Sequence, residues 1–244
     1  MSAASVTVST SRSHREGRGS NPTAALHSIL VKPIPFVAAK TLIERHHYLH
    51  SLPGGTKLTF GAFVGERLLG AISFGAGPQN AYSLVYRAAP DDCLVLTRLW
   101  LSDELLRNSE SMVIAVCLRS LRRNTSVKFV VSYADPSQGH LGIIYQAAGW
   151  LYIGLSEAMS LYDLGDGKAR QSRSLAHGFG THSVKHFAAS GVGVKLIPQA
   201  RKHRYVAFLD SSWTARLKPQ VLPYPKKENT GNNTRELGGV GGRG

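Results

Sequence analysis

The run Val130–Gly154, VVSYADPSQGHLGIIYQAAGWLYIG, constrains the fold more than any other part of the chain. It reads as a buried strand, a turn, a helix and a second strand. An apolar run bounded by turn residues is the mark of a strand covered on both faces, as in sheets with helical crossovers. Asp135 precedes Pro136, which pushes the backbone out of the helical region and ends the strand. Ser137 as N-cap and Gly149 as C-cap then bound a helix. Packing alone does not call for the polar content of this run. Ser132, Tyr133 and Asp135 stand at the strand's end, His140 in the expected first turn of the helix, and Tyr145 in its middle.

The flanking segments extend the same alternation. PFVAAKTLIERHHYLH has helical spacing and should end near Arg45 to Tyr48, with SLPGG as the breaker. KLTFGAFVGERLLGAISFG reads as a β-hairpin turning at GER. YSLVYR is a short strand or a loop. CLVLTRLWLS is a strongly apolar strand, and RNSESMVIAVCLRSLRRN a helix capped by Asn108 or Ser109, with Arg119, Arg122 and Arg123 suiting the dipole at its end. WLYIGLS is a further strand, MSLYDL is expected to continue the sheet, and HRYVAFL is the last strand. The expected architecture is α/β: a mixed central sheet with helices on both faces and a basic insertion before the last strand. Residues 26–210 form the catalytic domain, with the insertion at about 164–203. Residues 1–25 and 211–244 are expected to be mostly disordered tails, from their polar, Gly-rich composition.

The net charge of +14 favours a polyanionic partner, nucleic acid first. It is concentrated in the C-terminal third, where only Asp166 and Asp210 oppose the basic residues between Leu164 and Lys227. Aromatic and histidine side chains (Phe179, His182, His186, Phe187) are interleaved there. By composition the insertion is a poor core former, with a short candidate helix at His182–Ala189. Arg170, Arg173, Lys185, Lys202 and Arg204 are the expected phosphate contacts. Cys93 and Cys117 lie in apolar runs and read as buried thiols, which suits a reducing cytoplasm. No apolar run approaches the ~18 residues of a membrane span, and the N-terminus lacks the apolar stretch of a signal peptide.

In open α/β sheets ligands bind at the carboxyl ends of the parallel strands. Here those ends are Leu101–Ser102 and Tyr133–Asp135. Around them each polar residue has two readings. Asp135 is a turn or cap residue, or else a metal ligand or general base. Tyr145 is a core tyrosine with a satisfied hydroxyl, or a functional one. His46 and His47 suit a helix C-terminus, and because neighbours on a helix point apart, only one need face the crevice. Arg98, inside LTRLWL, is an edge-facing arginine or a buried cation that needs a partner or a ligand phosphate. Asn108, Ser109 and Ser111 are caps, or they offer a helix N-terminus to an acyl carbonyl or pyrophosphate.

The order of elements resembles the GNAT acyltransferase fold, although RNSES stands where that family has its glycine-rich pyrophosphate turn. More narrowly, HHYLHS, LTRLWLSDELLRNSES, VVSYADPSQGHLGIIYQAAGWLYIG, DGKARQSRSL and KHRYVAFL resemble the Mom DNA-modification proteins of phage Mu and related phages and prophages. That resemblance spans roughly Ile34 to Leu209. It implies conversion of adenine to its N6-carbamoylmethyl form in double-stranded DNA, with acetyl-CoA supplying the two carbons. It further implies protection of that DNA from restriction, action in the host cytoplasm and an iron centre. Asp135 falls on the family's catalytic aspartate. His47 and Tyr48 fall on its His-Tyr pair and would join Asp135 as metal ligands, with His140 a further candidate. Arg98 falls on its essential arginine. Tyr145 corresponds to the tyrosine that serves many GNAT enzymes as general acid. Chemistry on an exocyclic amine of duplex DNA requires that the base be extruded. Two other readings stand beside this one: a conventional N-acetyltransferase acting on RNA or protein amines, and a non-enzymatic DNA-binding protein on a degenerate GNAT core. A homodimer is one expected assembly.

Overall fold

The computed structural model describes residues 6–9, 28–78, 80–170 and 172–226, for residues 6–9 and Arg173 the backbone alone. Among the described residues the main sheet has eight strands in the order β1-β2-β3-β4-β5-β6-β10-β7. These are β1 (Val6–Ser9), β2 (Ser28–Pro33), β3 (Thr56–Val64), β4 (Arg67–Gly75), β5 (Cys93–Leu101), β6 (Phe129–Ala134), β7 (Leu151–Leu155) and β10 (His203–Phe208). All neighbours are antiparallel except β5 and β6. That one parallel pair needs a crossover, and α2 (Ser109–Asn124) supplies it.

The alternation of the strands sorts their side chains onto two faces. On one face Ile72, Phe74, Leu94, Leu96, Val130 and Tyr205 pack under α2, through Val113, Ile114, Cys117 and Leu121, and under α3 (Ile143–Ala147). On the other, α1 (Phe36–His46) buries Ala39 and Ile43 against Ala71 and Trp100. The rest of that second face, with Cys93, Val95, Phe129, Val131, Ile153 and Val206, is covered by the short turns Ala81–Leu84 and Ser211–Arg216. The fold is thus the expected mixed sheet with helices on both faces. No helix among the described residues is long and apolar enough to cross a membrane.

Several expectations are corrected. MSLYDL does form a strand, β8 (Met159–Asp163), but it leaves the main sheet and pairs with β9 (Lys195–Gln199) in a separate two-stranded sheet. Alternation predicts a strand; it does not name the partner. The insertion is also a better core former than its composition suggests. Between β8 and β9 lie α4 (Ser172–Phe179) and α5 (Val184–Ala189), which bury Leu175 and Phe187. Residues 211–226, assigned to a tail by composition, pack on the body: Leu217 bridges Val85, and the Tyr224 hydroxyl donates to Trp150 O at 2.8 Å. Val6–Ser9, inside the expected N-terminal tail, adds β1. The remainder of both expected tails lies outside the described residues.

The helix expected from Ser137 to Gly149 is broken in two. A tight turn occupies Pro136–Gln138, and the α-helix begins only at Ile143. Gly139 (φ 69°) and Gly142 (φ 73°) hold left-handed conformations that interrupt the helical path. Gly142 has a second constraint, because a Cβ there would lie 2.4 Å from the Tyr205 ring. The Tyr205 hydroxyl donates to Leu141 O, and Gln146 Nε2 donates to both Leu141 O and the Tyr205 oxygen at 3.1 Å. This lock fixes the loop that carries His140. Gly142→Ala should therefore destabilise by about 2–4 kcal/mol, from backbone strain plus overpacking. Gly139→Ala, with open space around its Cβ, should cost only the conformational part, about 1–2 kcal/mol. Thermal or urea unfolding of the two variants checks the difference.

Candidate functional site

The site begins with an irregularity in β5. Phe74 pairs with Leu96 and Ser73 with Arg98, so Thr97 is an extra residue on β5. Such a bulge bends its strand. On the other side, pairing with β6 runs from Cys93↔Phe129 to Leu96↔Ser132, and beyond it β5 continues to Leu101 while β6 continues to Ala134. The ladder between the two strands ends before Thr97, and their carboxyl ends run on unpaired to each other, the place where open α/β sheets bind ligands. Arg98 holds the bent strand. Its Nη1 donates to Thr97 O at 2.7 Å, and its Nε donates to Ser51 O at 2.9 Å. A guanidinium has five N–H donors, so these contacts leave others for a ligand. Arg98 lies on a central strand and has no ion-pair partner among the described residues.

The end of α1 supplies the next residues. His47 is the C-cap, with extended backbone, and its N–H closes on Ile43 O at 2.9 Å. As expected, the adjacent histidines diverge. His46 is exposed and stacks on Trp100 (ring centroids 4.2 Å apart), which ties α1 to β5, whereas His47 is buried. Tyr48 stacks on His47 at 4.4 Å and meets His140 edge-on at 5.7 Å. His47 feels the charges of Arg98 and His140, and Tyr48 those of Asp135 and Arg98. His47, Tyr48, Arg98, Asp135 and His140, drawn from four separate segments, therefore share one neighbourhood.

Their protonation follows from burial and neighbours. Burial first, then Arg98, brings His47 down to about 4, so the ring is neutral near pH 7. Its Nδ1 accepts from Leu49 N at 3.1 Å, which leaves the ring proton on Nε2. Burial and the Asp135 carboxylate raise Tyr48. Burial alone would raise Asp135, but hydrogen bonds from Ser137 and Lys202 outweigh it and hold the carboxyl below its usual range. Asp135 Oδ1 accepts from Ser137 N (3.0 Å) and Ser137 Oγ (2.6 Å), and Oδ2 lies 3.2 Å from Lys202 Nζ. Asp135 is thus itself the turn cap, the role expected of Ser137. Tyr145 is buried against Trp150 and Tyr205, and burial pushes its hydroxyl up to about 12. Ser132, on the crevice side of β6, is the neighbour that works against that shift.

The other expected site residues lie differently. Asn108 is the N-cap of α2 in a left-handed conformation (φ 71°) without a side-chain cap bond. Ser109 Oγ donates to Leu106 O (2.5 Å) and Ser111 Oγ to Asn108 O (2.9 Å), so both hydroxyls close the turn. Glu110 adds a carboxylate to the first turn of that helix. Among the expected DNA contacts, Lys185 is exposed on α5. Arg170 is clamped to Asp166 and Lys168 O. Arg204 donates to Ile153 O at 3.3 Å, while its Nε is buried without a partner among the described residues. Lys202 is engaged with Asp135. Arg173's side chain lies outside the described residues.

The expected iron ligands His47, Tyr48 and Asp135 share this neighbourhood. In the metal-free protein His47 carries its ring proton on Nε2, Tyr48 keeps its proton and Asp135 is held by Lys202 and Ser137, so a metal bound there would have to displace those protons and that ion pair. A guanidinium sits in the same pocket. Among the described residues no group of three or more His, Cys, Asp or Glu side chains could hold a metal ion.

Comparison with known proteins places this geometry. The Mom protein family matches residues 28–226, which include the whole crevice. The chain is 30% identical over 208 residues to the methylcarbamoylase Mom of Escherichia phage Mu, covering 80% of this chain and 83% of that protein. The chain belongs to the Mom protein family. Among solved structures it resembles, at the level of the fold, Arabidopsis thaliana NAA60 in complex with acetyl-CoA (12% identity, TM-score 0.44, 74% of this chain and 98% of that one). An Escherichia coli GNAT-family N-acetyltransferase, YhbS, in complex with CoA gives 15% identity and a TM-score of 0.41 over 75% and 83% of the two chains.

The protonation of His47 has a measurable consequence. Its folded value is lowered from 6.5 to about 4, so between those values the unfolded chain binds the proton that the folded one refuses. Stability should fall as pH drops through that window and be whole above it. A His47→Gln variant should lose less over the same window. Urea unfolding of both proteins between pH 7 and pH 4 checks this, and the histidine NMR signal of His47 should not titrate near 6.5.

Proposed function

We propose that the chain modifies adenine in double-stranded DNA at its exocyclic amine, using acetyl-CoA together with an ammonia-level nitrogen donor, which replaces the thiolate, and a two-electron oxidant, which allows the acetyl methyl carbon to bond N6, to give the carbamoylmethyl base that resists host restriction. The observation that carries this reading is the convergence of Tyr145, Asp135, His47, Tyr48 and Arg98 near the ends of β5 and β6, in a chain whose match to the Mom protein family spans all five.

Each residue has a role its environment suits. Tyr145 keeps its proton at neutral pH, as a general acid for a departing thiolate must. Asp135 is ionised, as a carboxylate that takes a proton from the adenine amine must be. Arg98 keeps unused donors for charge that develops on the acyl oxygen. The Nε2 proton of His47 is a second donor in the same pocket. The start of α2, with Asn108, Ser109 and Ser111, is the proposed seat of the cofactor's phosphates or acyl carbonyl. Iron, if bound, would supply redox chemistry; the roles above do not pass through it.

The insertion is the proposed DNA-contacting surface. It leaves the sheet after Leu155 and returns at His203, which pairs with Ala134 beside Asp135, so it emerges at the edge where the crevice opens. Lys168, Lys185 and Lys195 are exposed on it. A second reading, plain N-acetylation of an amine, is favoured by one observation: the acid, base and oxyanion partner that acyl transfer needs are all present.

The test is to express the protein in a bacterium, digest the plasmid to nucleosides and weigh the adenosines. Carbamoylmethyladenosine is the expected product, and acetylated adenosine would select the second reading. Unmodified adenine from correctly folded protein would overturn both for DNA. Tyr145→Phe preserves shape and should lower the modified fraction by roughly 10²–10⁴-fold in rate.

A further inference from the structure

Lys202 is the last residue of the basic insertion, where composition casts it as a phosphate contact. The structure engages it elsewhere. Its Nζ lies 3.2 Å from Asp135 Oδ2, with the lysine side chain 36% and the aspartate 17% exposed. The backbone beneath it is rigidly held. Ser156 N donates to Lys202 O at 2.7 Å, Lys202 N donates to Ser156 Oγ at 3.0 Å, and Arg201 Nε donates to Ser156 O at 2.6 Å. These bonds close the neck of the insertion at its two ends. On the strand side, His203 pairs with both Ala134 and Leu155, so β10 carries the neck directly alongside the end of β6.

We propose that Lys202 is a positioning residue for Asp135 and not a contact to the DNA backbone. Ser137 holds one carboxylate oxygen through the turn, and Lys202 holds the other through the neck. The carboxylate is thereby fixed in orientation at two points, from two separate parts of the chain. A partly exposed ion pair contributes little to stability, so the role is geometric: it keeps Asp135 aimed into the crevice. It also joins the insertion to the reacting residues, because whatever shifts the neck shifts Asp135. The inference rests on the reading that Asp135 takes part in the reaction.

The test uses the full chain with Lys202→Met, which keeps the stem and removes the charge, Lys202→Arg, Asp135→Asn, and the Lys202→Met/Asp135→Asn pair. Each variant's fold is checked by circular dichroism. Modification rates are measured against DNA concentration, and DNA affinity against salt. Lys202→Met should lower kcat by about 10- to 100-fold, as expected for a misaimed group, with KM for DNA and the salt slope of binding unchanged. Lys202→Arg should restore most of the rate. In the Asp135→Asn background, Lys202→Met should have no further effect. The opposite pattern, an unchanged kcat with raised KM and a salt slope reduced by about one, makes Lys202 a phosphate contact and overturns the proposal. A fully active Asp135→Asn protein would instead remove the catalytic reading of Asp135. If the wild type modifies no adenine, the function proposed above fails, and the salt slope alone still decides whether Lys202 meets phosphate.

Discussion

At Thr97, β5 carries one residue more than β4 can pair, and the strand bends away from β6. The candidate site lies where the pairing of the two strands ends. A continuous parallel pair would fill the same space with ladder hydrogen bonds and apolar side chains. The bulge opens it, and Arg98 keeps it open by bonding the bulged carbonyl of Thr97 on one side and Ser51 O on the other. The same guanidinium then sets the local electrostatics. Together with burial it keeps His47 neutral, and it opposes the effect of Asp135 on Tyr48. One side chain thus supports the opening and conditions what lies inside it.

Around that opening the chain brings in residues by different devices. His47 and Tyr48 come from the end of α1, fixed by the His46–Trp100 stack. Asp135 comes from the end of β6, capped by its own turn. His140 rides on a loop held by Tyr205 and Gln146, in which Gly142 leaves room for the tyrosine ring. Tyr145 stands on the short helix beyond. Each residue is thus held by contacts of its own.

Much of this was legible in the sequence. The hairpin of β3 and β4, the apolar β5 and the helix α2 follow from periodicity alone. Asp135, Tyr145 and Arg98 stood out as polar groups in or at the end of apolar runs and His47 as one of a pair at a helix end, and the fold brings them near one another. What was hidden depends on partners rather than on pattern. Ser28–Pro33 is too short to show an alternation above its surroundings, and MSLYDL alternates without saying which strand it joins. The helix from Ser137 was overextended because the apolar spacing runs across Gly139 and Gly142. The partner of Arg98 is a backbone carbonyl, which no composition signals. Lys202 read as one more basic residue of the insertion, since its link to Asp135 exists only once β10 lies beside β6.

The central claim is that chemistry occurs where β5 and β6 part. A crystal structure of the protein with acetyl-CoA bound tests it most directly. The account predicts the thioester between the diverging ends of the two strands, with its carbonyl toward Arg98 and its sulfur toward Tyr145. A thioester seated elsewhere, with these residues untouched, would contradict it.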